Sequence, residues 1–332
     1  MPLGDYLIDV LAAELPPTAP PQALEAAAVA ARTYAVQAML ANRLGQYPTG
    51  AGPANPLSLS IRSGGTTGTP AANGGSSSPS QPSGQRTPSS HAAASSGAQS
   101  GHAQTLRNPV LKGADVTDSG QWDLPLLTAA AQDAKWGSQV DAVRAQYEAA
   151  ILATDGLIVT YHAKPILAFA FQLSPGITRS AAEVFGQSIP YLQAVACPDD
   201  KKVAQQPLQT CSPAQLAARL GIPAKSVNVN QFTVTSRASS GFVVGVRGPQ
   251  GGSWSGSAFA KALSLPSADF TLKASQGNLT VQSFGIGQDV GLSLHEATVL
   301  AAKGETWQHI LARFYPGTAI TPDVNYNLGS TS

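Results

Sequence analysis

Glu14 is the residue whose setting could do chemistry. Leu7, Val10 and Leu11 fall at i, i+3 and i+4, the spacing of one buried helix face, and Glu14 continues that series at i+7. A carboxylate on the apolar side of a helix must be solvated by a cleft, paired, or held partly neutral. Pro16 and Pro17 stop the helix, because proline lacks the N–H and disfavours helix in the residue before it. Glu14 therefore sits at a helix end beside a bend. A carboxyl in an apolar setting has a raised pKa and can act first as a general acid and then as a base. Ordinary glycosidases need two carboxyl groups. One suffices where the substrate supplies its own nucleophile. In lytic transglycosylation the acid protonates the glycosidic oxygen, then helps the sugar's own 6-hydroxyl attack C1. The structural alternative is a helix-terminal glutamate bonded by backbone or paired with Arg32.

Other constellations carry less. Gly285, Gly287 and Gly291 are spaced GxGxxxG, one residue too long for a dinucleotide fingerprint, and no βαβ unit with a following acid accompanies them. His295-Glu296 lacks the second histidine of a zinc-protease helix. The five histidines and two cysteines show no metal-ligand spacing, and no GxSxG elbow occurs. His91 and His102 read as solvated loop histidines. No cofactor is expected.

The elements that position Glu14 follow from the same reading. The chain has 332 residues, 12% of them charged, and a formal net charge of +1. That excludes an electrostatic nucleic-acid binder, which needs a clustered basic excess. No apolar run approaches about 18 residues, so no transmembrane segment is expected. No basic region followed by an apolar core precedes Leu7, so a leader is expected to have been removed or to lie outside this chain. The first helix gives way to a proline-rich corner and a second, alanine-rich helix from Pro21 to Leu40, whose small side chains allow close neighbours. Residues 48–105 are rich in Gly, Ser, Pro, Ala and Thr, lack aromatics, and carry only Arg62 and Arg86 as charges. Such a segment cannot bury enough apolar surface to offset its ordering entropy and reads as a disordered insertion. A helix is expected over Asp141–Ala153, then strands over Leu157–Tyr161 and Ile166–Leu173 around a turn at His162–Lys164. Ser212 N-caps a helix closed by Gly221. Strands at Gln231–Ser236, Gly241–Arg247, Asp269–Lys273 and Asn278–Ser283 flank a helix at Gly256–Leu263, and two further helices close the chain. Helices and strands are partly segregated, so the fold class is α+β. Cys197 and Cys211 flank a polar loop and suit a disulfide, which would contribute about 3 kcal/mol on the chain-entropy model. Two unrelated buried thiols are the alternative.

These residues resemble the SpoIID/LytB family, which comprises the sporulation stage II protein D and the LytB amidase-enhancer proteins. The family opening PLExYLxGVVAxEMP is matched by Pro2-Leu3-Gly4-Asp5-Tyr6-Leu7 and Ala13-Glu14-Leu15-Pro16. The following ALKAQAVAARTYA is matched by Ala23 through Tyr34. Thr154-Asp155-Gly156, Tyr161 and Lys164-Pro165-Ile166 resemble TxGxVLxYxGxPI. Ser174-Pro175-Gly176-Ile177-Thr178 resembles the SGGxT turn, and Pro190-Tyr191-Leu192 the PYL. Gly291-Leu292-Ser293 and Tyr315-Pro316-Gly317-Thr318 resemble the closing GVGMSQ and YYPGT. The likeness covers the chain outside residues 43–113.

The resemblance implies a SpoIID-like fold of mixed helices and mostly antiparallel sheet. Its parts are an N-terminal helical part over 1–47, the insertion over 48–105, the remainder of the domain over 106–320, and a tail over 321–332. It implies an exported protein of the cell envelope or extracellular space that acts on peptidoglycan glycan strands by lytic transglycosylation. Glu14 is then catalytic, with Arg32, Tyr34, Ser174, Thr178, Gln288 and Ser293 as substrate contacts, and a cell-wall amidase is an expected partner. Tyr6, Tyr34, Trp122 or Trp307 would line a glycan groove. The departures are specific: the family's histidine in GHGVGMSQ is Gln288, its glutamine there is Leu294, and the AQAVAAR glutamine is Ala27. The family's zinc loop falls at Asp118–Trp122, where Gly120 replaces the cysteine, so no metal is expected. Losing such supporting groups weakens a site even when the central acid survives. A degenerate glycan-binding protein or amidase activator is therefore the second reading. A structural envelope protein that reaches partners through residues 48–105 is the third.

Overall fold

The fold is taken from a computed structural model that describes residues 1–43 and 124–326. The expected insertion over 48–105, with His91 and His102, and the loop Asp118–Trp122 lie outside the described residues.

Helix α1 (Leu3–Glu14) starts after Pro2 and ends where Leu15 turns extended ahead of Pro16. Helix α2 (Pro21–Arg43) begins on a proline, whose missing N–H is harmless at the first helical position. Six consecutive residues of α2, Ala26 to Ala31, are all buried. Six residues sweep more than a full turn, so this helix is enclosed on every side, and only small side chains let neighbours approach that closely. The neighbours follow in sequence: α3 (Ala129–Trp136), α4 (Val140–Ala153) and β1 (Leu157–Tyr161). Chain direction reverses at His162 and Ala163, both with positive φ, as a two-residue type I′ hairpin requires. The turn leads into the short β2 (Lys164–Pro165).

The expected strand over Ile166–Leu173 is broken. Only β3 (Ala170–Phe171) survives beyond β2. Between them the backbone groups are taken by other partners: Leu167 N–H donates to the Tyr191 hydroxyl, and the Phe169 carbonyl accepts from the Tyr315 hydroxyl at 2.7 Å and from Leu292 N–H at 2.9 Å. Backbone groups claimed in this way cannot extend a continuous ladder from β2 to β3.

After α5 (Ala181–Phe185) the chain stays in this first core as far as Cys197, then builds a second. The second core comprises β4 (Gln209–Cys211), α6 (Pro213–Leu220), β5 (Thr233–Arg237), β6 (Val243–Arg247), β7 (Ser253–Ser255), α7 (Gly256–Leu263), β8 (Asp269–Ser275) and β9 (Asn278–Phe284). Helix α6 has the expected start and stop: Ser212 and Gln215 form a reciprocal capping box, and Gly221 closes it in the left-handed conformation. β8 and β9 pair antiparallel across Gln276 and Gly277, and Leu279, Val281 and Ser283 alternate inward. Phe259 and Phe270 stack at 5.6 Å in the middle of this core.

The chain returns through β10 (Leu292–Ser293), α8 (Leu294–Ala302), α9 (Trp307–Phe314) and β11 (Ala319–Pro322), which pairs antiparallel with β1. Sheets run β11-β1-β2, β4-β9-β8 and β5-β6-β7, with β3 and β10 as a parallel pair. This is an α+β fold with mainly antiparallel pairing. Cys197 belongs to the first core and Cys211 to the second. Both thiols are buried and free, which corrects the expected disulfide: each cysteine serves its own core.

The glycines at 285, 287 and 291 have a packing role. Cβ atoms there would lie 2.8 Å from the Leu173 carbonyl, 2.7 Å from Phe171 Cβ and 2.0 Å from the Phe169 carbonyl. All three have positive φ, so the returning loop lies flat on the segment Phe169–Leu173 as only glycine permits. Gly291→Ala is therefore expected to lower stability by more than about 3 kcal/mol in urea unfolding, through steric overlap added to backbone strain. Gly304 has φ +95 with open space where its Cβ would go, so Gly304→Ala should lose only about 1–2 kcal/mol.

Candidate active site around Glu14

Glu14 is the last residue of α1 and is 7% exposed. Burial alone pushes its carboxyl up to about 8. Its place at a helix C-terminus works in the same direction, because exposed carbonyl dipoles disfavour a negative charge there. Those carbonyls are met by side chains: Gln172 Nε2 donates to the Glu14 carbonyl at 3.1 Å, and the Tyr147 hydroxyl donates to the Leu15 carbonyl at 2.7 Å. Tyr315 is fully buried, and its phenol is raised first by burial and further by the nearby Glu14 and Tyr191. The Tyr315 hydroxyl bonds to the Phe169 carbonyl, the same carbonyl that Gly291 crosses. The glycine loop, the last helix and the end of α1 therefore converge on this acid.

A polar chain leads away from it. His295 N–H donates to the Gln172 carbonyl at 3.1 Å, and His295 Nδ1 lies 2.8 Å from Asp200 Oδ1. Asp200 Oδ2 accepts from Ser174 N–H at 2.9 Å and from the Ser293 hydroxyl at 2.6 Å. Ser174 and Ser293, both predicted substrate contacts, are thus brought together by one buried aspartate. Asp199 beside it is held down to about 2 by Lys202 and Lys303.

The remaining predicted contacts are placed elsewhere. Arg32 is 2% exposed, and its guanidinium donates to the carbonyls of Thr154 at 2.7 Å, Ile151 at 3.0 Å and Leu157 at 3.2 Å. It closes the C-terminal end of α4, where a cation complements the helix dipole, and is not paired with Glu14. Tyr34 is half-buried, with its ring 6.5 Å from Phe169. Thr178 is buried and pins Val195 N–H at 2.8 Å. Gln288 is exposed at the tip of the glycine loop. Of the aromatics expected at a groove, Tyr6 and Trp307 are core residues, and Trp122 lies outside the described residues. The neighbouring Arg179 and Asp289 form a second buried charge cluster, in which burial raises the Asp289 carboxyl well above its usual range. Ser267 donates to Asp289 Oδ2 at 2.9 Å.

Gln172, Asp200 and Glu296 were not reached from the sequence. Asp199-Asp200 lies in the polar loop after Cys197, and His295-Glu296 has only the incomplete spacing of a zinc-protease helix to mark it. The contacts that give these residues meaning join positions about a hundred residues apart, such as Ser293 and Asp200. Ala27 and Leu294, which stand where the family has glutamines, are both buried in the first core.

Residues 1–55 match the SpoIID family, described as Stage II sporulation protein. Over 323 residues the chain is 26% identical to "Stage II sporulation protein D" of Bacillus subtilis (strain 168), covering 97% of this chain and 75% of that protein. It is 27% identical over 323 residues to "Stage II sporulation protein D" of Bacillus amyloliquefaciens, covering 97% of this chain and 74% of that one.

The raised Glu14 carboxyl has a thermodynamic consequence. Folded Glu14 keeps its proton to about pH 8, whereas an ordinary glutamate releases it near 4.5. Between those values the folded state binds more protons, so stability falls as pH rises from 4.5 to 8 and is unaffected by this group outside that window. The loss is on the order of 3 kcal/mol by neutral pH. Glu14→Gln lacks it, so the melting temperature of the variant relative to the parent is expected to rise steadily from pH 5 to pH 8. A difference independent of pH would refute the assignment.

Proposed function

We propose that this chain, which matches the SpoIID family over residues 1–55 and Stage II sporulation protein D over 97% of its length, is a sporulation-related cell-wall protein that cleaves peptidoglycan glycan strands by lytic transglycosylation, with Glu14 as general acid and base. The observation that carries the reading is the desolvated Glu14 carboxyl at the end of α1, raised to about 8. At neutral pH such a group holds its proton and can give it to a glycosidic oxygen as the C1–O bond breaks. The carboxylate left behind is a stronger base than a solvated one, for the same reason that its acid is weak. It takes the proton of the 6-hydroxyl while that oxygen closes on C1. The proton account balances with one residue, and the product is a 1,6-anhydro-muramyl end.

Ser174 and Ser293, held by Asp200, and Gln172, which ties the end of α1 to β3, support the acid's position in this scheme. Preorganised neighbours of this kind matter because misplacing a reacting group by about 1 Å can lose about a hundredfold in rate.

The second reading, a glycan-binding protein or amidase activator of the LytB type without chemistry, is favoured by one observation. The family's glutamines are Ala27 and Leu294 here, buried apolar side chains with no hydrogen bonds to give.

The readings separate on purified protein incubated with denuded and with intact glycan strands. Lytic transglycosylation predicts release of 1,6-anhydro-muramyl products from one of them, with kcat falling as pH rises through about 8, and no release by Glu14→Gln. Products that persist in Glu14→Gln, or strand binding without products, would overturn the enzymatic reading. Binding without products would support the second.

A further inference from the structure

At the far end of the polar chain from Glu14, Asp200 belongs to a cluster whose other two members, Cys197 and Glu296, have no part in the chemistry above. The Cys197 sulfur, a carboxylate oxygen of Asp200 and one of Glu296 lie within 4.8 Å of one another. Asp200 and Glu296 are 0% exposed, as is Cys197. They come from two separate stretches, the loop Cys197–Asp200 and the first turn of α8. Three groups that are anionic as ligands, enclosed together, need a reason to coexist.

The carboxylates are held as metal ligands are held. Glu296 Oε2 accepts two backbone N–H groups, from Asp199 at 3.0 Å and Asp200 at 2.9 Å. Asp200 accepts from Ser174 N–H, the Ser293 hydroxyl and His295. Donors of this kind fix the orientation of ligating oxygens around bound metals. The lysines nearby are spent on Asp199, which Lys202 and Lys303 both engage. Glu296 Oε1 is the decisive atom: it is fully buried with no hydrogen-bond partner among the described residues. A buried carboxylate with one oxygen bonded twice and the other unpartnered, grouped with a thiol and a second carboxylate, has a lone pair available to a cation.

We propose that Cys197, Asp200 and Glu296 form a binding site for a single zinc ion that ties the Cys197–Asp200 loop to the start of α8. One thiolate with two carboxylate oxygens suits zinc over the harder calcium or magnesium, which take oxygen ligands alone. Around a tetrahedral zinc, with bonds of about 2.3 Å to sulfur and about 2.0–2.2 Å to oxygen, these donors would close inward by small rotations, and the fourth position takes a water. Binding releases the Cys197 proton, and the ion's two positive charges offset two of the three negative charges on the ligands. Ser174 and Ser293, which both bond Asp200, would be held in place by the same ion.

The test uses the full chain, purified under reducing conditions, stripped with a chelator and titrated with Zn²⁺ or Co²⁺ alone. The expected result is one equivalent bound, a higher melting temperature with Zn²⁺, and a thiolate-to-cobalt charge-transfer band with Co²⁺. Cys197→Ser abolishes the band and Glu296→Gln weakens binding, whereas Cys211→Ser, a buried thiol outside the cluster, leaves both intact. Ser293→Ala keeps the ligands and is expected to weaken binding by about 10–100-fold. Parent protein that takes up no stoichiometric metal, or that binds cobalt without the charge-transfer band, overturns the proposal whatever the variants do. So does a band that survives in Cys197→Ser or disappears in Cys211→Ser.

Discussion

Enclosure of α2 is the constraint on which the rest depends. A helix buried on all sides has no solvent face on which to place polar groups, so its interior turns are alanine and valine, and each neighbour reads that surface at close range. Arg32, the largest buried polar side chain of α2, cannot be solvated and is satisfied by the carbonyls of Ile151 and Thr154 at the end of α4 and of Leu157 at the start of β1. Removing the charge there would leave three acceptors without a donor, the kind of loss that makes buried polar groups specific to one arrangement. Helix α2 thereby fixes α1 on one flank and α4 with β1 on another, and α1 places Glu14 at its end.

The same enclosure explains why an acid stands there without a charged partner. Glu14 is kept neutral by its surroundings, not by pairing, and its raised carboxyl follows from burial alone. Two large polar clusters lie beyond it, one on Asp200 and one on Asp289, each knit by short hydrogen bonds. The glycine loop separates and joins these parts. Its three glycines let it lie against Phe169–Leu173, so the backbone supplies a close contact that side chains would block.

Local signals in the chain were read correctly where the local physics decides. The α+β class, the capping of α6 by Ser212 and Gly221, the bounds of α7 and the stop of α1 before Pro16 all follow from propensity and capping. Helical spacing also singled out Glu14, and its burial is what that spacing implied. What escaped the sequence was set by distant partners. Ile166–Leu173 has strand composition, but Tyr191, Tyr315 and Leu292 claim its backbone. Arg32 is expected as a substrate contact, or alternatively as a partner for Glu14, whereas its acceptors lie more than a hundred residues on. The cysteines read as a pair because the loop between them is polar. Nothing in that loop reveals that they belong to different hydrophobic cores.

The topology also sets a kinetic order. β1 finds its partner in β11, and Gln22 at the start of α2 accepts from Trp307 N–H at 2.9 Å across 285 positions of sequence. The first core therefore cannot close until α9 and β11 have left the ribosome, although α1 and α2 emerge long before them. The second core, from β4 to β9, is contiguous in sequence and is free to form while the first is still open. During synthesis α1 and the alanine-rich α2 wait longest for the surfaces that later surround them. Until then their apolar faces depend on being shielded by something other than their own fold.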